Sequence, residues 1–377
     1  MTHAHVVGGG PAGWAAARQL ARAGWSVDLH ADEPHHPYNR VEVSKSLLAG
    51  TAKVSDHGLG AVPDGVTVHV GDRIVVKHGK LVRGSDGAEL TGPAVLATGA
   101  VPRSIASLDD AHLLRTADDA ARLRESIRDG DRVEVIGAGV LGMEAASSLL
   151  DAGHRVRVHD LAPEIMGRMV PADAARWLRG AHERRGVEFA LGGAAEPDAG
   201  AVTVVAIGVR PDTELAEQLG LDVDDGIVVD HLGRTSRAGT YAAGECSTLR
   251  IGEGRRRDED LASARASGIR AATGVLVDAG DVDAPGPVDP TPPRRWSVQA
   301  GLRITTVGDV IDAVAPGAGV QPEADGHGRL IVVADDVDAG RYEAVAVRDG
   351  IVVGAVSIAE RPNPRGVVAQ VGRPWHE

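Results

Sequence analysis

Glycines at 8, 10 and 13 punctuate the segment HVVGGGPAGWAAARQLARAGWSVDLHAD, and glycines at 137, 139 and 142 do the same in RVEVIGAGVLGMEAASSLLDAGHRVRVHD. This spacing suits the grip of a nucleotide pyrophosphate: backbone approaches the anion closely, and the helix that follows aims its N-terminal N–H groups at it. Such chemistry needs a strand before the turn and a helix after it. His5, Val6 and Val7 give a short apolar strand ending at Gly8, a helix is expected from Gly13 to about Ala23, and Trp25–Ala31 alternates as a second strand. That strand delivers Asp32 and Glu33 to where a carboxylate accepts hydrogen bonds from an adenosine ribose.

The second copy repeats the grammar, with a strand Val133–Ile136, a turn Gly137–Gly142, a helix Met143–Ala152 and a strand Arg155–His159 closed by Asp160. A carboxylate at 160 favours a free ribose hydroxyl over a 2′-phosphate, hence NADH over NADPH, while Arg168 is the competing signal for a phosphate. Two nucleotide sites in one chain suggest a flavin in one and a nicotinamide in the other, joined by hydride transfer. Between the copies, GPAVLATGAVPR reads as a strand through Val95 and Leu96 with a tight turn at Ala97, Thr98 and Gly99. After the second copy, TSRAGTYAAGECS is another strand-to-turn segment, ending at Gly244 and Glu245. The doubled glycine turn is the one internal repeat, and it repeats at domain scale.

Composition narrows the classes. The chain has 377 residues, enough for two or three domains, with 43% hydrophobic and 25% charged residues. A formal charge of −13 and 2% aromatics argue against nucleic-acid binding. No apolar run reaches membrane-spanning length, and the first strand begins almost at Met1, leaving no room for a signal peptide, so a cytoplasmic protein is expected. The single cysteine, Cys246, excludes an intramolecular disulfide and a cysteine-pair metal site. His35, His36 and the other scattered histidines show no metal-ligand spacing, so no metal is expected.

The ordered set GGGPAG, PYNR…SK, LATGAVPR, LLRT, GAGVLGMEA, AIGVRPDTELAEQLGL, GIVVD, RTS, YAAGEC and WSVQAGLRITTVG resembles the oxygenase-coupled ferredoxin reductases of the putidaredoxin- and rubredoxin-reductase type, within the FAD-dependent pyridine nucleotide-disulfide oxidoreductases. The resemblance spans nearly the whole chain. It implies an α/β fold with two Rossmann-like dinucleotide-binding domains, the FAD domain split around the NAD domain, and a small C-terminal α/β domain. On this reading residues 1–111 and 223–287 form the FAD domain, 112–222 the NAD domain and 288–377 the C-terminal domain. DAPGPVDPTPPRR would be an extended proline-rich linker, and RITTVG, RLIVVAD, YEAVAVRDG and IVVGAVSIAE strands, with RDG as a hairpin turn.

The resemblance also implies site residues. Gly8, Gly9, Gly10, Pro11, Ala12 and Gly13 would hold the FAD pyrophosphate, with Asp32 and Glu33 near its adenosine. Arg40, Lys45, Ile74, Ala97, Thr98, Gly99, Arg103, Arg115, Gly244, Glu245 and Trp296 match further FAD-contacting positions. Lys45 would lie by the reactive edge of the flavin and Glu144 near both flavin and nicotinamide, paired with Lys45, which makes these two the catalytic candidates. Gly137, Gly139, Val140, Leu141, Gly142, Asp160, Arg168, Ile207 and Gly208 would serve NAD. Taken alone, each has a plainer reading: Arg40 or Lys45 as solvated surface cations, Glu144 as a local helix pair, Trp296 as a domain-interface residue, Thr98–Gly99 as only a turn.

Several residues depart from that pattern. Glu42 and Val43 replace the family's two prolines before the serine–lysine pair, which implies a looser loop. Glu245 replaces an aspartate, and the segment from 186 to 208 is short, as if the NAD domain were trimmed. No cysteine lies in Pro37–Leu48, where thiol-dependent relatives carry one beside the flavin, so thiol chemistry is not expected. The implied activity carries electrons from NADH through FAD to a ferredoxin-type iron–sulfur protein, with Arg255, Arg256, Arg257, Arg294 and Arg295 as candidates for steering an acidic partner. Two alternatives stay open: a stand-alone flavin oxidoreductase acting on a quinone, nitro compound or pathway intermediate, and a non-catalytic NADH sensor. Oligomeric state cannot be read from these residues.

Overall fold

Alternation along the first strand, His3–Val7, sets the layering. In the computed structural model, which describes residues 2–252, 254–286, 292–311, 328–361, 363 and 366–376, Ala4 and Val6 are fully buried among Trp14, Ala17 and Leu20 of the following helix. His3 and His5, at the intervening positions of the same strand, fall on the other face, as the period of two requires. Mutual packing sorts the chain into two units. One comprises Met1–Glu42, Ala52–Val101 and Val209–Val288, the other Val43–Thr51, Pro102–Gly208 and Asp289–Glu377.

The first unit holds a five-stranded parallel sheet in the spatial order Thr240–Ala242, Ala94–Leu96, His3–Val7, Ser26–Ala31, Val66–Val70. The helices Pro11–Arg22 and Leu261–Asp278 cover one face and cross each other closely. Small residues make that crossing possible: a Cβ on Gly268 would stand 2.1 Å from the Ala12 carbonyl oxygen. The opposite face carries a second apolar cluster of Val7, Ile74, Leu81, Leu90, Leu96, Ile227 and Cys246.

The second unit repeats the plan with a parallel sheet ordered Glu188–Leu191, Arg155–Asp160, Arg132–Ile136, Val202–Val205, His112–Leu113. Its helices include Val140–Asp151 and Ala172–Arg185. The same unit contains an antiparallel sheet from the C-terminal part of the chain, ordered Arg294–Gln299, Leu302–Gly308, Ile351–Ala359, Arg341–Arg348, Arg329–Asp336. The four strands expected there form, and Asp349 (φ 51°) with Gly350 (φ 74°) makes the tight hairpin between two of them. Residues 287–291 of the proline-rich stretch lie outside the described residues. Among the described residues no helix is long and apolar enough to cross a membrane.

Candidate functional site

In each unit the first glycine of the turn is forced by geometry. Gly8 has φ +120°, and a Cβ there would lie 2.1 Å from the Ala97 carbonyl oxygen; Gly137 has φ +110° with Ala206 in the same role at 2.4 Å. The third glycine is forced as well, because a Cβ at Gly13 or Gly142 would strike the carbonyl oxygen of the first glycine at 2.0 and 1.9 Å. The middle glycine is different. Nothing lies within 4 Å of a Cβ built on Gly139, and only the Arg40 guanidinium, at 3.8 Å, approaches one on Gly10. Protein packing therefore gives no reason for glycine at 10 or 139.

A ligand gives one. Gly10 and Gly139 are the N-caps of the two helices, and neither offers a side chain to the orphan N–H groups of the first turn. Pro11 at the first helical position removes one orphan outright. An open approach at the middle glycine, ending on uncapped helix N–H groups, fits a dinucleotide pyrophosphate in both units. In the first unit Arg40 adds a cation beside Gly10. Gly9 packs its backbone on Ala31, and Ala12 lies under Gly244 and Gly268, so these two serve close packing around the cradle.

At the end of the second strand in the first unit the two acids part company. Glu33 accepts a hydrogen bond from the Tyr38 hydroxyl at 2.6 Å and pairs with Arg40, whereas the Asp32 side chain is 68% exposed, 3.9 Å from Arg73. The turn Ala97–Thr98–Gly99 is latched from outside: the Thr98 hydroxyl donates to the Asp212 carbonyl at 2.6 Å and the Asp212 amide to the Gly99 carbonyl at 2.9 Å. Burial raises the Asp212 carboxyl above the usual carboxylate range. Gly244 turns at φ 82° with its amide on Ser267 at 2.9 Å, and Glu245 follows in the same one-turn helix. The Ile74 side chain belongs to the apolar core.

In the second unit Asp160 holds its own cradle, accepting the Ala138 amide of the glycine turn at 2.6 Å and the Ala162 amide at 2.8 Å. Val140 and Leu141 form the first turn of the helix behind Gly139. Gly208 (φ +98°) ends a segment matching Ala97–Gly99, with Arg168 beside it and its carbonyl accepting the Arg103 amide at 3.0 Å. The adjacent Ile207 leaves an apolar side chain 39% exposed. Arg115 donates its amide to Asp119 at 3.0 Å, next to the cap of the helix Ala117–Ser126.

Lys45 and Glu144 meet within this unit, Nζ to Oε2 at 2.5 Å, with Glu144 almost fully buried. Two serine hydroxyls, Ser44 and Ser297, each donate to the Glu144 carboxylate at 2.6 Å. The chain of contacts continues: Gln299 Nε2 donates to Ser297 Oγ at 2.9 Å, and His182 Nε2 to Gln299 Oε1 at 2.8 Å. Burial, the largest influence on it, holds His182 down at about 4, so at neutral pH the ring is uncharged. The loop carrying Lys45 is anchored without prolines, because Arg124 donates to the Leu47 carbonyl and the Ser148 hydroxyl to the Ser44 carbonyl, each at 2.7 Å. The looseness inferred from the missing prolines is thus offset by two side-chain tethers. Trp296 is partly buried, with the Arg303 guanidinium 4.9 Å and Lys45 Nζ 5.9 Å from its ring centre. Sequence reading singled out Lys45, Glu144 and Trp296 but not Ser44, Ser297, Gln299 or His182. Serines next to the flagged Lys45 and Trp296 were the available signal.

The two arginine runs separate here. Arg255 pairs with Asp224, Arg256 with Asp258 at 2.8 Å, and Arg257 with Asp225 at 3.1 Å and Glu259 at 2.8 Å. Their charge is locally balanced. Arg294 and Arg295 are exposed, with no ion pair among the described residues. Cys246 is fully buried, its thiol on the Ala243 carbonyl at 3.2 Å, and burial raises its pKa.

Comparison with known proteins follows the same lines. Residues 2–268 match the family described as pyridine nucleotide-disulphide oxidoreductase. The chain is 32% identical to the probable ferredoxin reductase CtmF of Castellaniella defragrans, over 95% of this chain and 90% of that protein. It is 30% identical to rubredoxin-NAD(+) reductase of Pseudomonas putida, over 81% and 86% of the two chains. Among solved structures, the ferredoxin reductase for the CYP199A2 system from Rhodopseudomonas palustris superposes with a TM-score of 0.79 at 27% identity, covering 95% of this chain and 91% of that one.

Proposed function

The chain belongs to the pyridine nucleotide-disulphide oxidoreductase family, and we propose that it is an FAD-dependent NADH oxidoreductase delivering electrons to a small iron–sulfur protein of ferredoxin type. The observation that carries this reading is the pair of cradles, one in each unit, both open at the middle glycine and both ending on uncapped helix N–H groups. Gly8–Gly13, Glu33 and Arg40 would hold FAD in the first. Gly137–Gly142, Asp160, Arg168 and Ile207–Gly208 would hold the nicotinamide nucleotide in the second. In domain terms the FAD part is split around the NAD part and followed by the C-terminal sheet. The relatives named as ferredoxin and rubredoxin reductases support the choice of partner.

FAD bound here would accept two electrons from NADH as a hydride and release them singly to a one-electron acceptor. The chain's own residues prepare for this. Asp160 would offer a carboxylate to the nicotinamide nucleotide's ribose hydroxyls and repel a 2′-phosphate, which favours NADH. Glu144, fixed by two hydroxyl donors, holds the Lys45 ammonium in one position, so a preorganised positive charge would be available to a developing negative one. The disulfide chemistry in the family's name has no support in this chain: its one cysteine is buried, with a raised pKa.

Anaerobic stopped-flow tests the proposal. Reduction of the yellow protein by NADH, followed by mixing with a panel of oxidised [2Fe–2S] ferredoxins, should give flavin reoxidation matched in time by ferredoxin bleaching. A flavin that NADH reduces but no ferredoxin reoxidises, while a quinone or nitro compound does, would replace this reading with that of a small-molecule reductase.

A further inference from the structure

The first unit's parallel sheet carries a cluster that the proposed reaction does not use. His3 and His5 on one strand, Asp28 and His30 on the next and His69 on the third all fall on the same face. The register sets His5 against Asp28 and His30 against His69. Their rings pack in series, His3 to His5 at 4.7 Å between centroids, His5 to His30 at 5.4 Å and His30 to His69 at 5.1 Å. His5 and His30 are buried, and the others are half-buried. Imidazoles stacked this closely cannot all carry protons, and burial with the neighbouring rings holds His5 down at about 4.

We propose that His3, His5 and Asp28 form a binding site for a divalent transition ion of the zinc class, with His69 orienting Asp28 from outside it. One ligand atom from each of the three lies within 4.8 Å of the other two. His3 Nε2 is 3.2 Å from Asp28 Oδ2, and His69 Nε2 is 2.8 Å from Asp28 Oδ1. Tetrahedral zinc with bonds of about 2.0–2.1 Å separates its donors by about 3.3 Å, so modest side-chain movement closes the set around an ion. Outer partners that orient such ligands are in place. His3 Nδ1 sits 3.2 Å from the Ser26 hydroxyl, and His5 Nδ1 is 3.2 Å from His30 Nε2, whose other nitrogen lies 2.7 Å from Asp72, itself paired with Arg83 at 3.0 Å. The Thr91 backbone also hydrogen-bonds the His5 ring.

The position decides the role. His3, His5 and Asp28 lie between the start and the middle of their strands, about 3.3 Å of strand per residue from the glycine turn, whereas His30 and His69 are in register with Val7 beside it. An ion held by His3, His5 and Asp28 would pin the first two strands together, and the third through the bond of His69 to Asp28. Its role is structural, so its signature is stability, and turnover stays as it was.

The test uses the full-length, untagged holoenzyme, passed through a chelator and then given Zn2+ alone. One equivalent of zinc should survive gel filtration, and Zn2+ should raise the melting temperature of the wild type. The ligand His3 and the outer partner His69, both half-exposed, are the ones to replace: His3→Ala and His69→Ala should each weaken zinc binding about tenfold or more and lose the melting shift, while flavin content and NADH oxidation without added metal remain at wild-type level. The proposal fails if the wild type retains no zinc, or if His3→Ala retains it as tightly as wild type does.

Discussion

The contrast between the middle and third glycines of the second cradle can be turned into two single substitutions with opposite outcomes. In Gly142→Ala the new methyl would stand 1.9 Å from the Gly137 carbonyl oxygen. Non-bonded carbon and oxygen keep about 3.3 Å, so the helix must retreat from the strand by roughly 1.4 Å or the turn must open. Overpacking of this kind costs about 1–3 kcal/mol, and the retreat would also carry the helix N–H groups away from the proposed pyrophosphate position. In Gly139→Ala the methyl meets nothing within 4 Å, and the backbone, at φ −75°, suits alanine. The fold should lose no more than the difference between glycine and alanine as a helix cap, about 1 kcal/mol or less. On the proposed reading, NADH would meet that methyl directly. Urea unfolding of both variants, alongside the KM for NADH in flavin reduction, separates the cases. Gly139→Ala should keep wild-type stability and flavin content with a KM raised tenfold or more, corresponding to about 1.4 kcal/mol, whereas Gly142→Ala should lose stability and NADH binding together. Unchanged KM in Gly139→Ala, or unchanged stability in Gly142→Ala, would refute the division of labour among the three glycines.

Other outcomes follow from the same geometry. Lys45→Ala should slow flavin reduction by NADH on the order of tenfold at saturating NADH, and a rate equal to wild type would remove Lys45 from the hydride step. His5 and His182, both held down at about 4, bind protons more readily when unfolded. Stability should therefore be complete above about pH 7 and fall with acidification between 6.5 and 4, by up to about 1.4 kcal/mol per pH unit for each ring; equal urea midpoints at pH 7.5 and pH 5 would contradict this. Charge reversal of the unpaired Arg294 and Arg295 should slow ferredoxin reduction and flatten its salt dependence far more than reversal of Arg255, which Asp224 already balances. Equal effects of the two reversals in stopped-flow at low salt would show that local pairing does not decide which arginines steer the partner. Cys246 should resist thiol reagents until the protein unfolds, and rapid labelling of the native chain would show that the buried thiol is more accessible than its packing indicates.

What the sequence disclosed about the cradles follows a rule. Gly8, Gly13, Gly137 and Gly142 are dictated by backbone contacts inside strand–turn–helix units that lie within a short stretch of chain, so spacing alone exposes them. The equivalence of Ala97–Gly99 with Ala206–Gly208 is less visible, because each turn presses its carbonyl on a glycine far away in sequence. The relation between Asp32 and Glu33 was not legible at all. Both acids stand at the strand end, and only the later arrival of Tyr38 and Arg40 decides that Glu33 is the one engaged. The network behind Lys45 is of the same kind, since Ser44, Glu144, Ser297 and His182 come from segments that meet only when the second unit is assembled.

The histidine cluster shows why spacing rules fail on a parallel sheet. Motif rules for metal sites describe ligands supplied by one element or one turn, such as His at i and i+4 on a helix. Along a strand the same face recurs every second residue, so His3 and His5 form only a two-residue alternation that any half-polar edge could show. What joins them to Asp28 and His69 is register: His5 opposite Asp28, then Asp28 opposite Thr67, two residues before His69. Shifting the second strand by one residue would send Asp28 and His30 to the helix-covered face and Leu29 to the polar one. Burial of Val27 and Leu29 under the helix Pro11–Arg22 forbids that slip. The apolar residues that form the core thus also fix the ligand geometry, and a mutation that loosens them, such as Leu29→Ala, should weaken zinc retention without touching a single donor atom.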